Sequence, residues 1–173
     1  MACFTLTQGR KLACRSNATG GFKAIGLAVW EDGLITAADG EVTEIDESLL
    51  IYRYELKNSG NTYVEEITTD DEARTISFTG TLSVVLQKLD LETRNEVANI
   101  AKGELYVFIE TNDGEILLIG NGFGALLTGG NANTGGAKSD FNGWNLTFTT
   151  DEAEPYLTLE TAAKTAYATQ IQE

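Results

Sequence analysis

A chain of 173 residues with 42% hydrophobic residues has room for one domain with a genuine core. Its charge is one-sided: 26 acids against 12 bases give a formal net charge of −14, which argues against wrapping nucleic acid or lying on an anionic membrane, since both need Lys and Arg. Histidine is absent, which removes Ser-His-Asp and Cys-His catalysis and every His-ligated zinc site.

Met1 to Leu12 lack a continuous apolar stretch, and Arg10 and Lys11 follow the apolar residues instead of preceding them. No secretory leader is therefore expected, and no apolar run approaches the roughly 18 residues of a membrane helix. Cys3 and Cys14 are too few for a disulfide scaffold and match no zinc spacing; they read as small apolar residues in a reducing compartment. Phe4 to Thr7 is a short β-like run ending at Gly9. Gly20-Gly21 opens an aliphatic strand, Phe22 to Trp30, and the turns Glu31-Asp32-Gly33 and Asp39-Gly40 bracket a second segment, Leu34 to Ala38. Leu49 to Leu56 alternates, with Leu50, Tyr52, Tyr54 and Leu56 on one face, as a strand with one buried side does. After the turn at Asn58 to Asn61 another strand is expected over Thr62 to Thr68.

Thr75 to Leu89 is a long extended segment. Ile76, Phe78, Gly80, Leu82, Val84 and Leu86 fall on one parity, and Thr and Ser dominate the other, as on a solvated sheet face. One helix is clear over about 90–102. Asp90 is its N-cap, Glu92 favours its positive end, Leu91, Val97, Ile100 and Ala101 lie toward one face, and Gly103 is its natural C′ residue. Leu105 to Glu110 and Glu115 to Gly120 flank Asp113-Gly114, a hairpin signal. Ala125 to Thr128 leads into a Gly/Asn-rich loop over 129–139, and Trp144 to Thr150 returns as a strand. Tyr156 to Leu159 is compatible with a strand, and Thr161 to Gln172 with either a frayed helix or an arm.

The motifs carry little chemistry. Gly120-Asn121-Gly122-Phe123-Gly124-Ala125 matches a dinucleotide fingerprint in letters, but Leu126-Leu127-Thr128-Gly129-Gly130 cannot supply the helix that would hold a pyrophosphate, so it reads as a glycine-rich bend. Asp70-Asp71-Glu72 lacks calcium-loop spacing and reads as a solvated acidic turn. Trp30, Trp144 and Tyr156 are core aromatics or, in a second reading, platforms for sugars. No catalytic residue, cofactor or metal is expected, and the chain is read as not an enzyme.

Three stretches in order carry a resemblance: Phe4-Thr5-Leu6-Thr7-Gln8-Gly9-Arg10 with Cys14 and Gly20 to Ala24; Leu82 to Thr93; and Thr128-Gly129-Gly130 through Gly135 with Asp140, Gly143 to Thr149 and Glu152-Ala153-Glu154-Pro155. Together they resemble small tail-tube or neck-ring virion proteins of tailed bacteriophages, across most of residues 4–156. The resemblance implies a tube-protein fold, similar to type VI secretion tubes: an antiparallel β-sandwich or barrel with one flanking helix. The chain is then one domain over 1–173, with an N-terminal arm over 1–20 and a C-terminal extension over 157–173. It also implies a virion protein made in the host cytoplasm, whose partners are copies of itself in a ring, commonly of six and possibly stacked, and neighbouring tail or neck proteins. DNA passes through such a ring without sticking. Six copies of −14 carry −84 of formal charge, which repels phosphate over a Debye length of roughly 8 Å. Candidate assembly residues are Gly129, Gly130, Asn131, Asn133, Gly135 and Gly136, with the termini and the 57–75 loop as further contacts. Candidate lumen acids are Asp70, Asp71 and Glu72. The alternative is a β-sandwich glycan-binding or adhesion module.

Overall fold

A computed structural model describes residues 9–10, 19–57 and 59–172. In chain order the described elements are β1 (Phe22–Val29), β2 (Ile35–Ala38), β3 (Glu41–Ile45), β4 (Ile51–Glu55), β5 (Thr62–Asp70), β6 (Thr75–Gln87), α1 (Leu91–Ile100), β7 (Leu105–Thr111), β8 (Ile116–Ile119), β9 (Leu126–Asn133), β10 (Gly143–Glu152), β11 (Leu157–Leu159), α2 (Thr161–Gln170) and β12 (Ile171–Gln172). The chain is mainly β, and the strands form two sheets. The larger runs β12-β4-β1-β7-β8-β11-β3-β2, and the smaller runs β5-β6-β10-β9. The N-terminal arm, including the run at Phe4 to Thr7 and both cysteines, lies largely outside the described residues.

The sheets face one another across a core of Phe22, Ile25, Leu27, Val107 and Ile109 from the larger sheet and Leu82, Val84, Leu86, Leu146 and Phe148 from the smaller. Val97 and Ile100 of α1 close one side of it. Leu82, Val84 and Leu86 share a parity of β6, so its period-2 pattern points the apolar set into the sandwich and Thr81, Ser83 and Val85 outward.

The helix over 90–102 is present as α1. The Asp90 side chain accepts the Thr93 N–H at 2.8 Å, as an N-cap should. Leu91 is nevertheless 69% exposed and Ala101 is exposed, so only Val97 and Ile100 of the expected face are buried. The helix closes when the Ala101 N–H donates to the Val97 carbonyl, and Gly103 takes no left-handed conformation.

Three expectations change. The Gly/Asn segment at 129–139 is not a loop throughout: as far as Asn133 it is β9, paired along β10. The 57–75 segment is not a loop throughout: the strand expected over Thr62 to Thr68 is present as β5, paired with β6 from Thr62 to Asp70. The C-terminal extension is part of the fold. β11 sits inside the larger sheet, α2 crosses that sheet's outer face, and β12 pairs with β4 at the opposite edge. Ala163 and Tyr167 of α2 complete a second core with Val42, Ile51, Phe108 and Leu118. β4 therefore buries both faces: Ile51 enters the second core, while Leu56 just past its end and the ring of Tyr54 reach the first.

Candidate assembly surface and adjoining cleft

The smaller sheet holds the features that bear on function. Its four strands contain no Lys or Arg, while Glu65, Glu66, Asp70, Asp151 and Glu152 lie on them. Its outward face presents Thr79, Thr81, Ser83, Asn145, Thr147 and Thr149. Hydroxyls and amides make this face polar without making it cationic. β5 and β9 bound the sheet, and among the described residues neither pairs with anything on its outer side. An unpaired edge offers a row of backbone donors and acceptors to another strand. Two such edges on one sheet allow it to continue from copy to copy, head to tail.

The candidate residues fall on this sheet in two groups. Gly129, Gly130, Asn131 and Asn133 form the free edge strand β9. Gly135 and Gly136 lie in the connection that follows, where Asp140 accepts the Gly136 and Ala137 N–H groups at 2.8 Å each. Those two bonds hold the Asp140 carboxyl below its ordinary range. Asp70, Asp71 and Glu72 sit together in the turn joining β5 to β6, beyond the opposite edge strand. There Asp70 accepts the Glu72 and Ala73 N–H groups, also at 2.8 Å. The two groups are thus separated by the width of the sheet. Sequence reading did not find the overhang that carries the acidic turn. On the inward parity, Leu82, Val84 and Leu86 are covered, but toward the turn Ile67 is 67% and Ile76 59% exposed. The hairpin projects past the sandwich with its apolar side bare. The length of the Thr75–Gln87 strand was the available signal: it outruns the β7 and β10 strands that flank the core.

A cleft of about 270 Å³ lies beneath the base of this hairpin, lined by Tyr63, Glu65, Phe123, Glu152 and Tyr156. Tyr63 and Tyr156 meet edge to face with centroids 6.5 Å apart. Glu65 accepts the Tyr63 hydroxyl and the Tyr156 N–H, both at 2.9 Å. The Gly120–Ala125 bend forms the far wall, and no helix follows it. Its Gly122 N–H donates to Glu152 at 3.0 Å and its Phe123 N–H at 3.4 Å. Burial pushes the Glu152 carboxyl above its ordinary value, and these amides only partly offset that. Of the three aromatics read as possible sugar platforms, Tyr156 lines this cleft. Trp30 leans on Tyr106 and donates its indole N–H to the Asn121 carbonyl, and Trp144 packs against the first core.

The bend depends on glycine at one position above all. Gly120 has φ +79°, and a Cβ there would lie 2.7 Å from both the Ala125 nitrogen and the Leu105 oxygen. Gly114 also has positive φ, at +90°, but nothing stands within 4 Å of its added Cβ. Gly114→Ala is expected to cost about 1–3 kcal/mol from conformation alone. Gly120→Ala is expected to cost about 1–3 kcal/mol from conformation, and more because the Leu105–Ala125 backbone pair must separate. Thermal unfolding of the two variants checks this, and equal shifts in Tm would count against the crowding argument.

Among the described residues, no helix is long and apolar enough to cross a membrane, and no group of Cys, Asp or Glu side chains is placed to hold a metal ion. No family model matches this chain, and no curated protein matches it.

Proposed function

We propose that this chain is a non-enzymatic virion subunit of a tailed bacteriophage, which assembles into a ring by continuing its four-stranded sheet from copy to copy and lines a DNA passage with that sheet's outer face. The observation that carries the reading is the pairing of two open edges with a cation-free face. Edges left open on a hydrogen-bonding sheet are an aggregation hazard unless a specific neighbour covers them. A head-to-tail contact closes into a ring when the rotation per copy divides a full turn. A lumen of hydroxyls, amides and carboxylates gives phosphate no cation to pair with, so DNA slides through without being held. The acidic turn at Asp70 to Glu72 then sits at one mouth of the passage instead of along its wall.

Negative-stain images of the purified full chain test the reading, and rings with a central hole are the expected result. Gly129→Glu with Asn131→Glu places two charges on the free β9 edge and is expected to leave monomers on size-exclusion chromatography. A chain that stays monomeric at millimolar concentration would remove the reading.

The second reading, a glycan-binding module, is favoured by the cleft. Tyr156 and Phe123 are 45% and 67% exposed beside two carboxylates that can accept sugar hydroxyls. The same chromatography discriminates: a monomer that binds a glycan array, with the signal lost in Phe123→Ala, supports the module over the ring.

A further inference from the structure

The cleft beneath the β5–β6 hairpin is walled by three aromatic rings. Tyr63 and Tyr156 stand at 86° to one another, so together they offer π surface along two directions. Phe123 stands on the bend that forms the far wall. Phe123 and Tyr156 stay 67% and 45% exposed, so neither ring is consumed by the core. The Tyr63 ring reaches the cleft because it lies across Gly80. An added Cβ there would fall 3.0 Å from the Tyr63 hydroxyl and 2.5 Å from Thr150 Oγ1. A side chain at position 80 would lift the ring off the strand.

Three carboxylates, Glu65, Glu152 and Glu154, line the same cleft, and no Lys or Arg does. Among the described residues none of the three forms an ion pair. Hydrogen bonds, by contrast, are already supplied. Glu65 accepts from the Tyr63 hydroxyl and the Tyr156 N–H, and Glu152 from the Gly122 and Phe123 N–H groups. What the cleft lacks is positive charge. Burial, with the charge of Asp151 added, outweighs the two amides and holds Glu152 above its ordinary value, as for a carboxylate sunk beside rings without a cation.

We infer that this cleft binds a quaternary ammonium group, seated against the rings of Tyr63, Tyr156 and Phe123, with Glu65 and Glu152 as its counter-charge. A trimethylammonium head is cationic, apolar at its surface and has no N–H to donate, which matches walls that offer π faces and charge but need no donors. A cation over an aromatic face is attracted by the ring quadrupole, and more strongly where water is partly excluded. A sugar would bring hydroxyl donors and no charge. A metal ion would need converging oxygens, and among the described residues no group of acids is placed to supply them. The volume of about 270 Å³ falls below the roughly 300–1,000 Å³ of sites that enclose drug-sized ligands. The cleft therefore takes a head group and leaves its carrier outside, whether a free choline-like molecule or a methylated lysine side chain of a protein. Every wall belongs to one copy, so the site does not depend on the ring reading, and it competes with the sugar reading for the same space.

Calorimetric titration of the full chain tests the site with choline, with 3,3-dimethylbutanol, which has the same shape without the charge, and with methyl glucoside. Choline is expected to bind about tenfold tighter than its neutral counterpart. Phe123→Leu keeps an apolar side chain at an exposed position and removes the ring, and it is expected to weaken choline about fivefold while leaving 3,3-dimethylbutanol unchanged. Glu65→Gln combined with Glu152→Gln keeps acceptors for the local donors and removes the charge, and it is expected to bring choline down to the level of the neutral compound. Trimethyl-lysine, as its N-acetyl methylamide, separates the carriers: binding about tenfold tighter than choline assigns the head group to a protein side chain, and binding no tighter assigns it to a free molecule, the site standing in both cases. Choline that binds no tighter than 3,3-dimethylbutanol, or whose affinity survives both variants, would overturn the inference. Methyl glucoside bound in preference to choline would overturn it in favour of the sugar reading. None of these results bears on whether copies form a ring.

Discussion

Tyr167→Ala is expected to lower the free energy of unfolding by about 3–5 kcal/mol, the usual range for deleting a buried aromatic ring. Tyr167 is 2% exposed in the second core, although it comes from a segment whose Ala/Thr composition looks like a tail. Its ring lies 5.1 Å from that of Phe108. It also rests on Gly26, where an added Cβ would fall 2.8 Å from the Tyr167 hydroxyl. The hydroxyl donates to Glu110 at 2.9 Å. Tyr167→Phe keeps the ring and removes that bond alone, so its expected cost is about 1.5–3 kcal/mol, as for other hydrogen bonds to a charged group. Urea titration of the dispersed chain measures both. If Tyr167→Ala cost less than about 1 kcal/mol, α2 would be an appended arm and not a structural element.

That helix shows where sequence reading stops. The strands of the first core were legible because they alternate: Leu82, Val84 and Leu86 announce one buried side, and Asp113-Gly114 announces the turn between β7 and β8. α1 was legible because Asp90 caps it. α2 has no such signal. Its Glu160 N-cap makes no side-chain bond, and Ala163 and Tyr167 are its only large or small apolar residues that are fully buried. Two anchors four residues apart suffice because the surrounding surface, built from Val42, Ile51, Phe108 and Leu118, is contributed by strands distant in sequence. β3 was missed for a related reason: Glu41, Thr43 and Glu44 surround the two buried residues Val42 and Ile45, and the pair is offset by the bulge at Thr36–Ala37. Gly129 to Asn133, the later part of β9, reads as loop because glycine and asparagine are poor strand formers. The conformation of β9 is imposed by Gly143 to Thr149 of β10, which pair with it across one register shift. The candidate site was legible only as composition. Gly129 to Asn133 and Asp70 to Glu72 are unusual runs, but their placement on opposite edges of one sheet follows from strand order, which no local pattern encodes.

Glu110→Ala is expected to cost about 3–5 kcal/mol, because it strips a partly buried guanidinium of its main partner. Glu110 is a central carboxylate on the outer face of β7, at 10% side-chain exposure. Arg53 donates to it twice, from Nε at 2.7 Å and from Nη2 at 3.0 Å, with Tyr167 as a third donor and Lys23 at 3.9 Å. Burial alone would push this carboxyl up. The bonds from Arg53 and Tyr167, with the charges of Arg53 and Lys23, outweigh it and hold the group below its ordinary 4.5. The sign of the pH dependence follows. A carboxyl whose folded value is depressed takes up protons more readily in the unfolded chain. Its contribution is fully present above about pH 4.5 and is lost as pH falls through the lower folded value. The unaltered chain should therefore lose stability steeply on acidification below that point, and Glu110→Ala should show a shallower acid limb from a lower plateau. Tyr167→Phe removes one of the three donor bonds and should flatten the limb by less. Because Tyr167 and Glu110 share a bond, Tyr167→Phe combined with Glu110→Ala should cost less than the two measured separately, a coupling of about 1–3 kcal/mol. Full additivity would mean that the C-terminal helix and the β4–β7 ion pair act independently, and that α2 is held by its apolar contacts alone.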